Sequence, residues 1–384
     1  MSRALSSIFG GRGISLVRGE GIYVWDEKGR RYIDFFNGHG AALFGHADPV
    51  LMDALCAASR GVWSPGAGYE SDVREEAAGL LADEAGGGRV FFCNSGTEAI
   101  EAALKLACVL NAPRKEMIAC RRAFHGRSCG ALGLTFNPKY RSPFSAVIPD
   151  AVHCAPEDIP GRISDETMAV FIEPVQGEGG VYPIAPETGR AISEACRAHG
   201  VLLVADEVQS GLGRCGAFFA SYAAGLSPDI ICVAKGLAGG MPAGAVVWRE
   251  ELGDFPPHSH GSTYGGNELT MKVALAALKH IKEDDLCSHA AEMGEMLRAE
   301  IRGRNIEGVT AVRGMGLLIG IETKIPSQEI VKALQQNGLL ALAAGPRVVR
   351  FLPSFAVTAE AVLAAAGIFE ETMRDMTAKG EEPR

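Results

Sequence analysis

The chain has 384 residues, 47% of them hydrophobic and 22% charged, with a formal net charge of −9. That length exceeds what one hydrophobic core usually serves, so one large and one smaller domain are expected. The acidic balance argues against a nucleic-acid or anionic-membrane surface and leaves small molecules as the expected partners. No apolar run approaches a membrane span, and the opening MSRALSSIFGGRG lacks the apolar stretch of a signal peptide, so a cytoplasmic location is expected. Ten cysteines stand singly without a C-x-x-C pair, which reads as buried reduced thiols, not zinc ligands or disulfides.

Residues 19–36, GEGIYVWDEKGRRYIDFF, alternate apolar and polar around Asp26-Glu27-Lys28-Gly29. The pattern predicts a hairpin turning at the glycine, within a small N-terminal sheet. In Asn37-Gly38-His39-Gly40, His39 reads equally as a substrate contact or a turn histidine. Asp48-Pro49 reads as a helix cap followed by proline at the first position. Val90–Cys93 predicts a strand that passes through Asn94-Ser95-Gly96-Thr97-Glu98 into the amphipathic AIEAALKLACVL. There Ser95, Gly96 and Thr97 offer amides and two hydroxyls at a helix N-terminus, where aligned peptide dipoles favour a phosphate. A plain capping box, Ser95 with Glu98, accounts for the same residues. Gly86-Gly87-Gly88 precede this strand, so they do not form a dinucleotide or P-loop fingerprint.

After the short strand Met117–Cys120, Phe124-His125-Gly126-Arg127 sets an aromatic face beside a guanidinium fork suited to a carboxylate. An ordinary surface arginine is the competing reading. Ala169–Ile172 predicts a buried strand that ends in Glu173-Pro174-Val175-Gln176-Gly177-Glu178, and a helix from Pro186 through His199 stops at Gly200. The alternation continues through two β-branched-rich runs, Val201–Ala205 and Ile230–Val233, which lead to Asp206 and Lys235. In open α/β sheets ligands sit at the carboxyl ends of strands, which brings Asp206 and Lys235 to one crevice. A lysine to bond an aldehyde and a carboxylate to pair with a protonated pyridine are what pyridoxal phosphate requires. A buried structural ion pair is the plain alternative. A metal held by Glu173, Glu178, Asp206 and Glu207 is disfavoured, because no histidine stands at ligand spacing.

Gly261–Asn267 is a polar loop with a cap for a helix beginning near Glu268. From Leu286 a helix, a strand at Gly316–Ile321, a second helix and strand, and a last helix after Pro353 predict a C-terminal α+β unit. Within VVRFLP, Arg350 occupies an apolar strand where an unpaired guanidinium is costly. Glu178 or a substrate carboxylate could supply the anion.

The segments Asp206-Glu207-Val208-Gln209-Ser210-Gly211 and Ala234-Lys235-Gly236-Leu237-Ala238-Gly239-Gly240 resemble the paired signatures of class-III pyridoxal-phosphate-dependent aminotransferases. The resemblance covers nearly the whole chain. It implies an α/β fold, with a large pyridoxal phosphate domain (49–285) built on a mainly parallel sheet covered by helices. A small α+β domain is then formed by residues 1–48 and 286–384. By resemblance, Lys235 is the Schiff-base lysine and proton shuttle, Asp206 meets the pyridine nitrogen, and Gln209 lies beside the ring hydroxyl. Ser95, Gly96 and Thr97 bind the phosphate, while Phe124 and His125 cover the ring. Arg127 holds a substrate carboxylate, and Glu178 neutralises Arg350 when the bound amine lacks an α-carboxylate. His39 lines the substrate pocket.

Thr263, with Ser262 beside it, reaches the phosphate of the neighbouring subunit, which implies a homodimer with shared active sites. The branch resembled acts on acetylornithine, ornithine or lysine borne on an amino-group carrier protein. It passes an ω-amino group to 2-oxoglutarate, giving a semialdehyde and glutamate in arginine or lysine biosynthesis. A 4-aminobutyrate transaminase, a glutamate-1-semialdehyde-like aminomutase or a decarboxylase are the alternatives on this scaffold. A phosphate-ligand binding protein without chemistry is the alternative outside it. Lys235 opposite Asp206 argues for the enzyme, and two arginines argue for transamination, since a dicarboxylate uses both.

Overall fold

The β-branched runs assemble into a seven-stranded sheet, in the spatial order Arg89–Cys93, Gly244–Trp248, Ile230–Val233, Leu202–Asp206, Thr167–Ile172, Glu116–Cys120 and Val152–Cys154. The structure is a computed structural model and describes residues 4, 6, 8 and 10–380. The sheet is parallel except for Gly244–Trp248, which runs antiparallel to both neighbours. Its central strands are buried on both faces, as a sheet sandwiched by helices demands. Ala169, Phe171, Val204 and Cys232 pack with Ile100, Ala103 and Leu106 of the helix Gly96–Leu110. The alternate residues Val170, Ile172 and Leu203 pack with Ile192 and Cys196 of the helix Pro186–His199 on the other face. That second helix closes at Gly200, whose left-handed φ of 61° is the predicted glycine stop.

Two smaller sheets join the ends of the chain. Leu16–Glu20, Tyr23–Asp26 and Arg31–Asp34 form an antiparallel meander, and Leu339–Leu340 adds parallel to its last strand. The predicted hairpin turn is present, with Gly29 at φ 79°. The other sheet orders Val309–Met315, Leu318–Thr323, Val348–Phe351 and Leu342–Ala343. Here the strand expected from Gly316 begins at Leu318, because Gly316 turns the chain back on a preceding strand that the sequence reading lacked. Gly316 has φ 51°, and a Cβ there would lie 2.5 Å from the Cys215 carbonyl carbon.

That close approach docks the segment after Asp206 onto the C-terminal sheet. The Leu317 amide donates to the Arg214 carbonyl at 2.9 Å. The Arg214 side chain, 1% exposed, donates to the carbonyls of Leu317 (3.3 Å), Gly40 (3.4 Å) and Pro353. Burial pushes its pKa down to about 10. One guanidinium thus bridges the N-terminal segment, the large sheet and the C-terminal sheet.

Candidate active site

Asp206 ends its strand in register with Cys232 of the parallel neighbour. The neighbour stops at Val233, and Lys235 opens a short 3-10 turn with φ 46°. A non-glycine residue in the left-handed region costs free energy and persists where surrounding structure enforces it. Both side chains line one cavity of about 410 Å³ at the carboxyl edge of the sheet. Burial lowers the pKa of Lys235, against the opposing pull of Asp206 and Glu178.

Asp206 is held from two sides. His125 Nδ1 lies 2.7 Å from its Oδ2, and the Val208 amide donates to its Oδ1 at 3.0 Å. Burial lowers the pKa of His125, but the hydrogen bond and charge of Asp206 outweigh it and leave the imidazole raised. Its buried Nε2 has no partner among the described residues. Glu173 accepts the amides of Phe124 (2.9 Å) and Gly177 (3.1 Å), so it pins both flanking loops. Burial pushes its carboxyl up to about 7. The sequence marked Glu173 only as a rejected metal ligand; its bracing role depends on amides from two loops. Glu207 lies off the cavity wall, where its carboxylate accepts from Ser221 and Ser210.

At the helix Gly96–Leu110 both readings of the junction hold. Ser95 Oγ accepts the Glu98 amide at 3.3 Å, while Glu98 reaches back one residue further than expected, to the Asn94 amide at 2.6 Å. That shift leaves the Ser95, Gly96 and Thr97 amides without an acceptor among the described residues, and all three residues line the cavity. Gly96 is required by packing, since a Cβ would sit 2.6 Å from Val208 Cγ1. Thr97 Oγ1 accepts the amides of Arg127 (3.3 Å) and Ser128 (3.2 Å).

Arg350 is fully buried and donates to Glu178 Oε1 at 2.6 Å and Gln209 Oε1 at 3.0 Å. Burial raises the Glu178 pKa and Arg350 overcomes it, holding the carboxyl below its ordinary value. Gln209 lines the cavity and also donates to the His39 carbonyl at 3.3 Å.

Phe124 and Arg127 line the same cavity. Arg127 lies 3.5 Å from the Tyr140 ring centroid, and Phe124 meets that ring edge-on at 6.2 Å. Tyr140 lines the adjoining cavity and backs Arg127 and Phe124 from behind this wall, although no sequence motif marks it.

Three of the expected residues, His39, Ser262 and Thr263, stand outside the wall of this cavity. The His39 side chain is exposed, at φ 59° in a left-handed turn, and packs edge-on against Phe36 at 4.7 Å. Its carbonyl accepts from Gln209, and its imidazole feels the charges of Glu178, Arg350 and Lys235, with partial burial holding its pKa below the ordinary value. Ser262 and Thr263 do not line the cavity of their own chain. Ser262 Oγ instead braces Asn94 Nδ2 (3.1 Å) and the Gly265 amide (2.9 Å), and Thr263 is exposed.

The donor set fits pyridoxal phosphate. A lysine amine suits the aldehyde, a buried hydrogen-bonded carboxylate suits the pyridinium, and unfilled amides at a helix N-terminus suit the phosphate. The unpartnered His125 Nε2 leaves a further polar atom for a bound group.

The model of the family described as aminotransferase class-III matches residues 11–373. The chain is 37% identical to the acetylornithine aminotransferase of Bacillus cereus, over 97% of this chain and 98% of that one. It is 36% identical to the [LysW]-aminoadipate semialdehyde/glutamate semialdehyde transaminase of Sulfolobus acidocaldarius, over 96% of each. Among solved structures, ornithine aminotransferase from Toxoplasma gondii superposes with a TM-score of 0.91 at 28% identity, covering 98% of this chain and 94% of that one. Acetylornithine aminotransferase from Elizabethkingia anophelis gives 0.85 at 31% identity, covering 96% of each. With the lysine, the carboxylate and the anion-ready helix end meeting at one sheet edge, the chain belongs to the class-III aminotransferases and uses pyridoxal phosphate.

Proposed function

We propose that this protein moves a terminal amino group from an ω-amino donor to 2-oxoglutarate, giving a semialdehyde and glutamate. The donor would be of the acetylornithine or carrier-borne ornithine and lysine type, in arginine or lysine biosynthesis. The observation that carries the reading is the closed pair of Arg350 and Glu178 at 2.6 Å beside a second, separately held guanidinium, Arg127. An ω-amine brings no carboxylate to the reacting end, so the pair stays closed during that half of the reaction. 2-Oxoglutarate brings two. Its γ-carboxylate would meet Arg127 and its α-carboxylate Arg350, once Glu178 moves aside.

When bound, pyridoxal phosphate supplies an electron sink next to the amine-bearing carbon. The remaining roles belong to this chain. Lys235, its pKa lowered by burial, would take and return the proton at Nζ. Asp206, fixed by His125 and the Val208 amide, would keep the pyridine nitrogen protonated. Ser95, Gly96 and Thr97 would take the phosphate, Phe124 and His125 would cover the ring, and Gln209 would stand beside its hydroxyl.

We further read residues 49–285 as the cofactor domain, with 1–48 and 286–384 forming the small one. A homodimer is supported by exposed Trp63 (56%), Tyr69 (70%) and Tyr264 (65%), the last next to Thr263, which would serve the partner's site with Ser262. Among the described residues no helix is long and apolar enough to cross a membrane, and the ten cysteines are free, which supports a reducing, cytoplasmic setting.

A screen of N-acetylornithine, ornithine, lysine and 4-aminobutyrate with 2-oxoglutarate, read as glutamate formed, tests the proposal. N-acylated ω-amines should lead. Activity confined to 4-aminobutyrate, or isomerisation of glutamate-1-semialdehyde without 2-oxoglutarate, would overturn it.

A further inference from the structure

We propose that Arg313 is a positioning residue for donor choice: it holds the backbone of the loop that bears Glu178, so that this carboxylate meets Arg350. The inference deepens the ω-amino reading above and rests on it.

Glu178 stands in a loop, residues 177–181, between two short paired strands, Val175–Gln176 and Tyr182–Pro183. A hairpin with two register pairs is too short to hold its own loop. The C-terminal sheet supplies what is missing. Arg313, Gly320 and Arg350 lie directly opposite one another on three neighbouring strands, Val309–Met315, Leu318–Thr323 and Val348–Phe351. Residues opposed in this way share one face of a sheet, so the row presents a guanidinium, a gap and a second guanidinium to the loop. Arg313 Nε donates to the carbonyls of Gly180 and Val181, each at 3.0 Å. Arg350 donates to the Glu178 carboxylate of the same loop at 2.6 Å. Gly320 leaves room between them, since a Cβ there would lie 2.7 Å from Val181 Cβ.

Arg313 is itself fixed. Its Nη1 donates to Glu322 at 2.5 Å, and its guanidinium rests 3.9 Å from the centre of the Tyr182 ring, which Arg122 also approaches at 4.4 Å. Val181, whose carbonyl Arg313 holds, has φ 56°. A β-branched residue in the left-handed region is strained and persists where its surroundings over-determine it. The Arg313 bonds and the gap at Gly320 do so here. One end of the row thus holds the loop's backbone and the other its carboxylate. The pair can then open by rotation of the Glu178 side chain while residues 180–182 stay in place, which keeps Glu178 near enough to close again in each cycle.

The test is a double-mutant cycle on the holoenzyme, reading the ratio of kcat/KM for glutamate to that for N-acetylornithine. Arg313→Met should loosen Glu178 and leave Arg350 freer for an α-carboxylate, raising the ratio about three- to tenfold, mainly through a lower KM for glutamate. In a Glu178→Ala background the same substitution should change the ratio by less than about twofold, because no carboxylate is left to position. Gly320→Ala leaves Arg313 intact but pushes Val181 away. It should give the same pattern, and it serves if Arg313→Met folds poorly.

An unchanged ratio would overturn the proposal. So would an equal shift with and without Glu178, which would mean that Arg313 acts elsewhere, or an equal loss for both donors, which would leave it to the fold alone. If N-acetylornithine is not turned over, the ω-amino reading fails, and hydrogen exchange over residues 177–182 decides the clamp separately. Faster exchange there in Arg313→Met, with the large sheet unchanged, supports it, and the wild-type rate refutes it.

Discussion

Replacing Glu178 with alanine should turn the active site toward α-amino acids. Arg350 is 0% exposed and Glu178 is its one carboxylate partner among the described residues, so the substitution leaves a buried guanidinium with, among those residues, only Gln209 Oε1 at 3.0 Å and an Nε that has no partner. Breaking a fully buried pair costs about 3–5 kcal/mol, but the Glu178 side chain is 31% exposed and the cavity admits water. A loss of about 1–3 kcal/mol in urea unfolding is therefore expected, the span of a charged hydrogen bond. The pH dependence has a definite sign. Because the folded-state pKa of Glu178 is lowered, its contribution is present above the unfolded value and lost as pH falls through the folded one. Wild type and variant should thus converge in acid. In the active site the same free guanidinium should attract an α-carboxylate, raising kcat/KM for glutamate relative to N-acetylornithine roughly ten- to a hundredfold. Stopped-flow traces of the two half-reactions measure this directly. If Glu178→Ala slowed both halves by the same factor, the pair would be scaffolding and the switch reasoning would fail.

Two further outcomes follow from buried cations. In cofactor-free protein Lys235 must be desolvated, and its lowered folded pKa means the unfolded chain binds more protons between that value and the ordinary lysine range. Stability attributable to Lys235 therefore rises with pH across that window, so Lys235→Met should melt higher than wild type near neutrality and lose the advantage toward pH ~10. A constant gap in thermal melts across pH would contradict this. Arg214→Met should cost about 2–4 kcal/mol in urea unfolding, since it leaves the Leu317, Gly40 and Pro353 carbonyls without their shared donor. A change below about 0.5 kcal/mol would show that water replaces the guanidinium there.

The large sheet and its chemistry were legible because both depend on local pattern. Runs such as Ile230–Val233 are apolar at every position and end abruptly at an ionisable residue, which marks a buried strand and its functional edge together. Direction was not legible. Gly244–Trp248 is as apolar as its neighbours yet runs antiparallel, and burial on both faces looks the same either way. The turn at Gly316 was hidden for a related reason: its close neighbour is the backbone of Arg214 and Cys215, a hundred residues away in the chain. Glu173, Tyr140 and Arg214 escaped notice likewise. Each acts through partners supplied by other segments, so no spacing within its own stretch distinguishes it from an ordinary polar residue.

On the function proposed above, the pairing of charges around the cavity would account for the choice of donor. Asp206 is engaged by His125, and Arg350 is neutralised by Glu178. Among the described wall residues this leaves Lys235, which must react, and Arg127, whose guanidinium rests on the Tyr140 ring without a carboxylate. A ring face supports a cation but does not cancel its charge. In the closed state the cavity therefore offers an incoming amine one fixed positive anchor, placed away from the reacting end. An α-amino acid, with its carboxylate next to the amine, finds no partner there and must open the Glu178 pair. A donor with its carboxylate several carbons away does not. The preference for a terminal amine would then arise from a charge already neutralised inside the protein, and it should vanish when Glu178 is removed.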